Sequence, residues 1–356
     1  MILQPGTGPI RATSYLPAEP DALLWGRLPC ATDSPVLTVD PGTEVTFDTI
    51  SHEGILEDQG RDPRAFFAAH GVAEDEVLAD AIVLAASQTP HTFGADGPHV
   101  VSRPVHVTGA EPGDLLAITV LETTPRVPYG VISNRHGRGA LPGEYPAGEQ
   151  TVSVFSRVTP DGTHATLPLT EGGDPVVRYP LAPFLGIMGV ATAEPERPHS
   201  VPPGSFGGNI DINLLTVGAT LYLPVQVAGA LAYVGDPHFA QGDGEVSLTA
   251  LEASLRATVR FDVIPRSEAV RRFGDLAGPL AETAEHLVPT GIDVDLDVAV
   301  QNCVRAAIAL LGARHQMAPH LAYAYLSAAT DFDISQVVDL VKGVHCRIRK
   351  ADFPTR

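Results

Sequence analysis

The chain has 356 residues, enough for two or three packed units. Hydrophobic residues make up 44% and charged residues 18%, which excludes a disordered chain. Its 23 Lys and Arg face 42 Asp and Glu, a net charge of −19, and so acidic a chain disfavours nucleic acid as a partner. The 34 Gly and 32 Pro exclude long helices over most of the sequence and favour many short strands joined by turns.

The three cysteines, Cys30, Cys303 and Cys346, are odd in number and widely spaced. They imply neither a disulfide framework nor a thiolate zinc site, and Cys303 reads as packing on a helix. The opening residues Met1 to Gly6 lack a basic region followed by an apolar run, so no signal peptide is expected and the location is expected to be cytoplasmic. Residues 214–235 carry no charge and are long enough to span a bilayer. Gly218, Pro224, Gln226 and Gly229 break them into two β-rich runs, so two buried strands and no membrane partner are expected.

In chain order, strands are predicted at 36–39 and 45–48 around the turn Asp40-Pro41-Gly42. Residues 62–87 read as helical, with Asp62 capping a start at Pro63. Strands follow at 105–107 and 115–121, then a Gly- and Pro-rich loop over 126–150. Further strands are predicted over 151–190, in the two apolar runs, and over 246–264. Helices at 295–314 and 318–329 precede strands at 334–338 and 344–348. A shared strand, Val-x-Gly-Ala, strand pattern in 105–121 and 221–234 hints at a duplicated unit. The expected fold is mainly β with a smaller α/β part. Residues 1–150 would form a β-sandwich-like unit with a helical insertion at about 62–87. Residues 151–265 would form a central β-barrel-like unit, and 266–356 an α/β unit with helices packed on a sheet.

Five clusters could carry chemistry. In Asp236-Pro237-His238, alternation would point the carboxylate and the imidazole the same way, and Glu245 returns to them if the glycine-rich turn between folds back. Two carboxylates and an imidazole suit Zn²⁺ or a similar ion. Gly207-Gly208-Asn209-Ile210-Asp211 would present Asn209 as a hydrogen-bond donor and Asp211 as a ligand, beside glycines that permit close approach. Ser51-His52-Glu53-Gly54 offers an imidazole, with Glu53 or Glu57 as a base. Arg135, His136 and Arg138 stand out in an acidic chain as a lid or a neutralising loop. Asp331 and Asp333 alternate along one strand face. No Gly-x-Ser-x-Gly elbow is present.

Several stretches together resemble the acetamidase/formamidase family. They are Val107-Thr108-Gly109-Ala110-Glu111-Pro112-Gly113-Asp114, Gly207-Gly208-Asn209-Ile210-Asp211, Thr220-Leu221-Tyr222-Leu223-Pro224-Val225, Gly235 to Glu245, and Gln336-Val337-Val338-Asp339. The resemblance covers roughly residues 30–350, in order. It implies hydrolysis of a small carboxamide to carboxylate and ammonia, a β-rich fold, a bound divalent metal and a homo-oligomer. It makes Asp211, Asp236, His238 and Glu245 the leading site candidates. On this reading His238, Asp211, and His52 or Asp236 hold the ion, expected to be zinc, with calcium considered for a second site. Glu245 moves the proton, and Asn209 or the amides of Gly207-Gly208 meet the oxyanion. The rival readings are hydrolysis of a cyclic amide, imide or ureide, and a metal-stabilised binding module without turnover.

Overall fold

The computed structural model describes residues 2–354. The expected mainly β architecture is what it shows: two large sheets packed together, with helices laid on the C-terminal part of one. The first sheet has nine strands, in the order Ser14–Leu16, Thr43–Asp48, Leu255–Ile264, Leu115–Pro125, Thr220–Pro224, Leu280–Glu282, His286–Asp293, Val341–Arg349 and Asp331–Asp339. Strands from the beginning, middle and end of the sequence thus lie side by side in it. The second sheet centres on Ala232–Ala240, which pairs with Phe184–Val190 on one side and Leu251–Glu252 on the other. The main core lies between the sheets and includes Phe47, Ile118, Val234 and Phe261.

The uncharged run is two strands, Thr220–Pro224 and Ala232–Ala240, as its glycines and proline imply. The repeated pattern has a structural counterpart. Leu115–Pro125 pairs with Thr220–Pro224 in one sheet, and Val105 pairs with Ala232 in the other. The connecting turns exchange bonds: Gly113 N–H donates to Val225 O at 3.0 Å, and Gly229 N–H donates to Ala110 O at 2.7 Å.

Two local expectations need correction. The 62–87 stretch is two short helices, Pro63–Ala68 and Ala79–Ala86, separated by a turn at Gly71 and a single 3-10 turn at Glu74–Glu76. Asp62 does cap the first, accepting from the amides of Arg64 and Ala65. The 126–150 stretch begins as a strand, Tyr129–Arg135, paired with Thr151–Val158, and only 136–150 is loop. Its Pro and Gly lie mostly after Arg135, so composition averaged over the stretch hid the strand.

Two buried arginines fix the strand that leads into the site. Arg256 grips Asp48 with two bonds of 2.7 and 2.9 Å, and Arg126 reaches Asp80 at 2.7 Å and Thr49 O at 3.0 Å. A bidentate pair of this kind sets direction as well as charge. Asp48 ends Thr43–Asp48, so the chain leaves the sheet there in a defined direction.

Helix Leu296–His315 is long and apolar enough, by length and composition alone, to cross a membrane. It lies on the sheet through Ala299, Cys303, Ala307, Leu310 and Leu311, and Cys303 is fully buried as packing. Close contact is possible because residue 291 beneath it is glycine. A Cβ there would sit 2.2 Å from both Ala299 O and Cys303 N. Gly291→Ala is therefore expected to lower stability by about 1–3 kcal/mol, the usual range for overpacking. Urea unfolding of both proteins checks this.

Candidate active site

Four loop segments and three strands converge on one buried, charged cluster. The first contribution follows Asp48. Ser51 N–H donates to Ser254 Oγ at 3.0 Å and Glu53 N–H to Ser51 Oγ at 3.3 Å, which turns His52 and Glu53 inward. Both are buried. Glu53 accepts from Ser133 Oγ and Gln59 Nε2, each at 2.5 Å, and lies 3.2 Å from His52 Nε2.

The second comes from Ala232–Ala240. Asp236 and His238 meet as expected, with Oδ2 to Nε2 at 3.1 Å, although not through simple alternation. Asp236 has φ of +50°, so its backbone departs from extended geometry while the pairing on either side keeps register. That register sets Gly186 opposite Asp236. A Cβ on Gly186 would stand 2.5 Å from Asp211 Oδ1, 2.6 Å from Asp236 Oδ2 and 2.7 Å from His238 Cε1. The cluster occupies the space that any other residue would fill.

The third contribution is the turn 241–245, which folds back as its glycines suggest. Gly244 N–H donates to Ser335 O at 3.1 Å, and Glu245 N–H to Gly242 O at 3.2 Å. Glu245 is thereby buried, with one ligand-type atom each of Glu245, Asp211 and His238 mutually within 4.8 Å. Gln241 braces the group: its Oε1 meets His238 Nδ1 at 3.0 Å and its Nε2 donates to Asp211 O at 2.9 Å. Asp211, Asp236 and Glu245 all have positive φ, between +46° and +50°. Such conformations cost roughly 1–3 kcal/mol each and concentrate at functional sites.

Three members of the cluster were not singled out from the sequence as site residues. His99, at the start of Val100–Ser102, lies 3.9 Å from Asp236 and holds Ser200 Oγ at 3.0 Å through Nδ1. Glu252 lies 3.1 Å from His238 Nε2. Asp339 is buried against Asp211 and Glu245. A signal existed for two of them. Glu252 is a lone charge in an otherwise apolar run, and Asp339 closes the last motif of the family resemblance.

The remaining candidates stand further off. Asn209 is buried in Gly207–Asn209, and its Oδ1 accepts no hydrogen bond. The Gly207 amide already donates to Gly204 O at 3.0 Å. Arg135 pairs with Asp58 at 2.6 Å and donates to Ser133 Oγ at 2.9 Å, so it reaches Glu53 through the serine. His136 meets Pro146 O at 3.0 Å, and Arg138 is exposed.

Six carboxyl groups and three imidazoles are thus buried together. Burial pushes the Asp211 carboxyl well up, helped by Asp339 and Asp236. Glu245 and Asp339 are pushed well up for the same reason, and Glu252 is raised although His238 opposes the shift. Burial works against charge on His52, but Asp236, Glu53 and Glu252 outweigh it and push the imidazole up to about 10. His99, with less compensation, is pushed down to about 4. Burial also opposes charge on Glu53, yet His52, Arg135 and Ser133 hold its carboxyl below the usual range.

Several of these atoms approach one another at ion-pair distance without making a hydrogen bond. Both His52 nitrogens, His238 Nε2, both Asp211 oxygens, Asp236 Oδ1, Glu252 Oε2 and Asp339 Oδ2 are buried without a hydrogen-bond partner. Such groups are costly unless something else satisfies them. Imidazole nitrogens and carboxylate oxygens gathered in this way are a donor set that could hold a divalent ion. Three overlapping groups fit: His52, His99 and Asp236; Asp236, His238 and Glu252; and Asp211, His238 and Glu245.

The sequence profile described as the Acetamidase/Formamidase family matches residues 91–199 and 193–348. A formamidase from Methylophilus methylotrophus is 27% identical over 55% of this chain and 60% of its own length. An acetamidase from Mycolicibacterium smegmatis is 30% identical over 47% of this chain and 53% of its own. The chain thus spans little more than half the length of these relatives. A crystal structure of acetamidase from Yersinia enterocolitica shares the fold, with a TM-score of 0.76 and 22% identity over 98% of this chain and 95% of that one.

If a divalent ion relieves the buried charge, loading should raise the melting temperature and release protons. At a hundred times Kd the stabilisation is about 2.7 kcal/mol. Because four of the carboxyls are shifted upward, Zn²⁺ binding should release protons. Calorimetry in two buffers of different ionisation enthalpy reads both quantities.

Proposed function

This chain belongs to the acetamidase/formamidase family, and on that premise we propose that it hydrolyses a small linear carboxamide to carboxylate and ammonia with the help of a divalent ion in the buried centre. The observation that carries the proposal is the set of unpartnered histidine and carboxylate atoms converging beside Gly186. His238, Asp211, Asp236 and His52 are the proposed ligands, joined by His99 and Glu252. The mixture of nitrogen and carboxylate oxygen suits zinc. When bound, such an ion supplies Lewis acidity towards a carbonyl and makes water more acidic.

The protein's own groups do the rest. Amide cleavage needs a base to take a proton from water and an acid to deliver one to the departing nitrogen. Glu245 suits both steps, because burial and Asp211 lift its carboxyl well above the ordinary range. Glu53 is held ionised and clamped by Ser133 and Gln59. We assign it the orientation of His52 rather than proton transfer. Asn209 is buried two residues before Asp211, and its Nδ2 is the proposed donor to the developing oxyanion. Three buried, unpaired cysteines suit a reducing compartment, and we extend the proposal to a cytoplasmic location.

The test is ammonia release from formamide, acetamide and a lactam by zinc-loaded protein. Release from the linear amides is expected, lost on chelation and in His238→Ala. Glu245→Gln should lower kcat by roughly 10²–10⁴ while zinc stays bound. Full turnover by that variant would remove Glu245 from proton transfer. Zinc uptake and stabilisation without release from any amide would replace the enzyme by a binding protein.

A further inference from the structure

We propose that Asp243, Asp333 and His345 form a second divalent-cation site, separate from the buried centre, that fastens the glycine-rich turn 242–245 to the terminal hairpin. The three residues share no member with the central groups. One ligand-type atom of each lies within 4.8 Å of the others. Asp331–Asp339 carries Asp333, and its partner strand Val341–Arg349 carries His345 directly across, in register. Asp243 comes from the turn between His238 and Glu245.

Three observations carry the inference. First, His345 is fully buried, and its Nε2, facing Asp333 Oδ2 at 3.8 Å, has no hydrogen-bond partner. Its Nδ1 is 2.8 Å from Ser335 Oγ. In the tautomer whose Nδ1–H donates to the serine oxygen, the Nε2 lone pair faces the carboxylates, the usual arrangement behind a ligating histidine. Burial pushes the imidazole down to about 4, so it is neutral at neutral pH and able to ligate.

Second, the charges do not cancel. Arg347 binds Asp333 at 2.7 Å and Asp331 at 3.2 Å. With Asp243 added, three carboxylates face one guanidinium and a neutral imidazole. The surplus of carboxylate over guanidinium favours a cation here. Third, the donors are held and open to solvent on one side. Asn213 Nδ2 donates to Asp243 Oδ1 at 3.1 Å, and Asp243 is exposed, which gives an ion a way in. One imidazole nitrogen with two carboxylates selects zinc or a neighbouring transition metal over calcium or magnesium, which prefer oxygen alone.

The position gives the site a use. Gly244, next to Asp243, exchanges backbone bonds of 3.1 Å with Ser335 O and Val337 N. Gln241, which braces His238 and Asp211, also donates to Ser335 O at 3.2 Å. An ion joining Asp243 to Asp333 and His345 would close this turn at its exposed corner and so hold Glu245 in place.

The test titrates Zn²⁺ into metal-stripped full-length chain by calorimetry, for wild type, Asp243→Asn and His345→Gln. Asp243→Asn is at an exposed position and retains an acceptor for Asn213, so it should fold. Wild type should bind one zinc more than either variant, or bind its outer zinc at least tenfold more tightly. Zinc should also slow amide hydrogen exchange at 242–245 in wild type and not in Asp243→Asn. Equal stoichiometry and affinity in all three proteins, or equal exchange with and without zinc, would overturn the site. Neither readout uses turnover. Failure to release ammonia would leave this site standing, and absence of the outer zinc would not by itself decide whether the chain hydrolyses amides.

Discussion

The dominant constraint on this molecule is a surplus of negative charge sealed away from water. Glu53, Asp211, Asp236, Glu245, Glu252 and Asp339 are buried around three imidazoles. In a medium of low polarity, such groups must be paired, protonated or bound to a cation. Pairing is incomplete, as the unpartnered atoms show. Protonation and cation binding therefore compete for the same oxygens. The backbone is bent to suit: three of these carboxylates sit on residues with positive φ, and Gly186 vacates the space they fill. The surrounding sheets are rigid enough to sustain that arrangement, with Arg256 and Arg126 locking the strand that leads to His52.

Much of the fold is legible in the sequence because it rests on local pattern. Gly218, Pro224 and Gly229 break the long apolar run into strands of suitable length, and Asp295 caps the long helix, accepting from the amides of Asp297 and Val298. The errors also have local causes. Helical spacing over 74–86 suggested a helix that begins only at Ala79, because Glu74–Glu76 is taken up by a 3-10 turn. Tyr129–Arg135 was masked by the Gly and Pro that follow it.

The site divides along similar lines. Asp236, His238 and Glu245 are close in sequence, and a single turn brings them together. His52, Asp211, His99, Glu252 and Asp339 meet only through strand pairing, which leaves little trace in any short stretch. His99 and Glu252 look like isolated polar residues at the edge of apolar strands. Their purpose becomes apparent only when Val100–Ser102 and Leu251–Glu252 both pair with Ala232–Ala240.

Because the cluster draws on residues from 52 to 339, it has a consequence for synthesis. Asp339 and the loop-bracing Ser335 lie on a strand near the end of the sequence, and the nine-stranded sheet needs that end as well as its beginning. A chain still emerging from the ribosome can pair many of its early strands, yet it lacks the hairpin that closes the turn before Glu245. The carboxylates already made must wait in water, where they are harmless. The charged interior therefore cannot be complete before the last hairpin is made, and a product truncated before it would lack both Asp339 and the Ser335 carbonyl that holds Gly244.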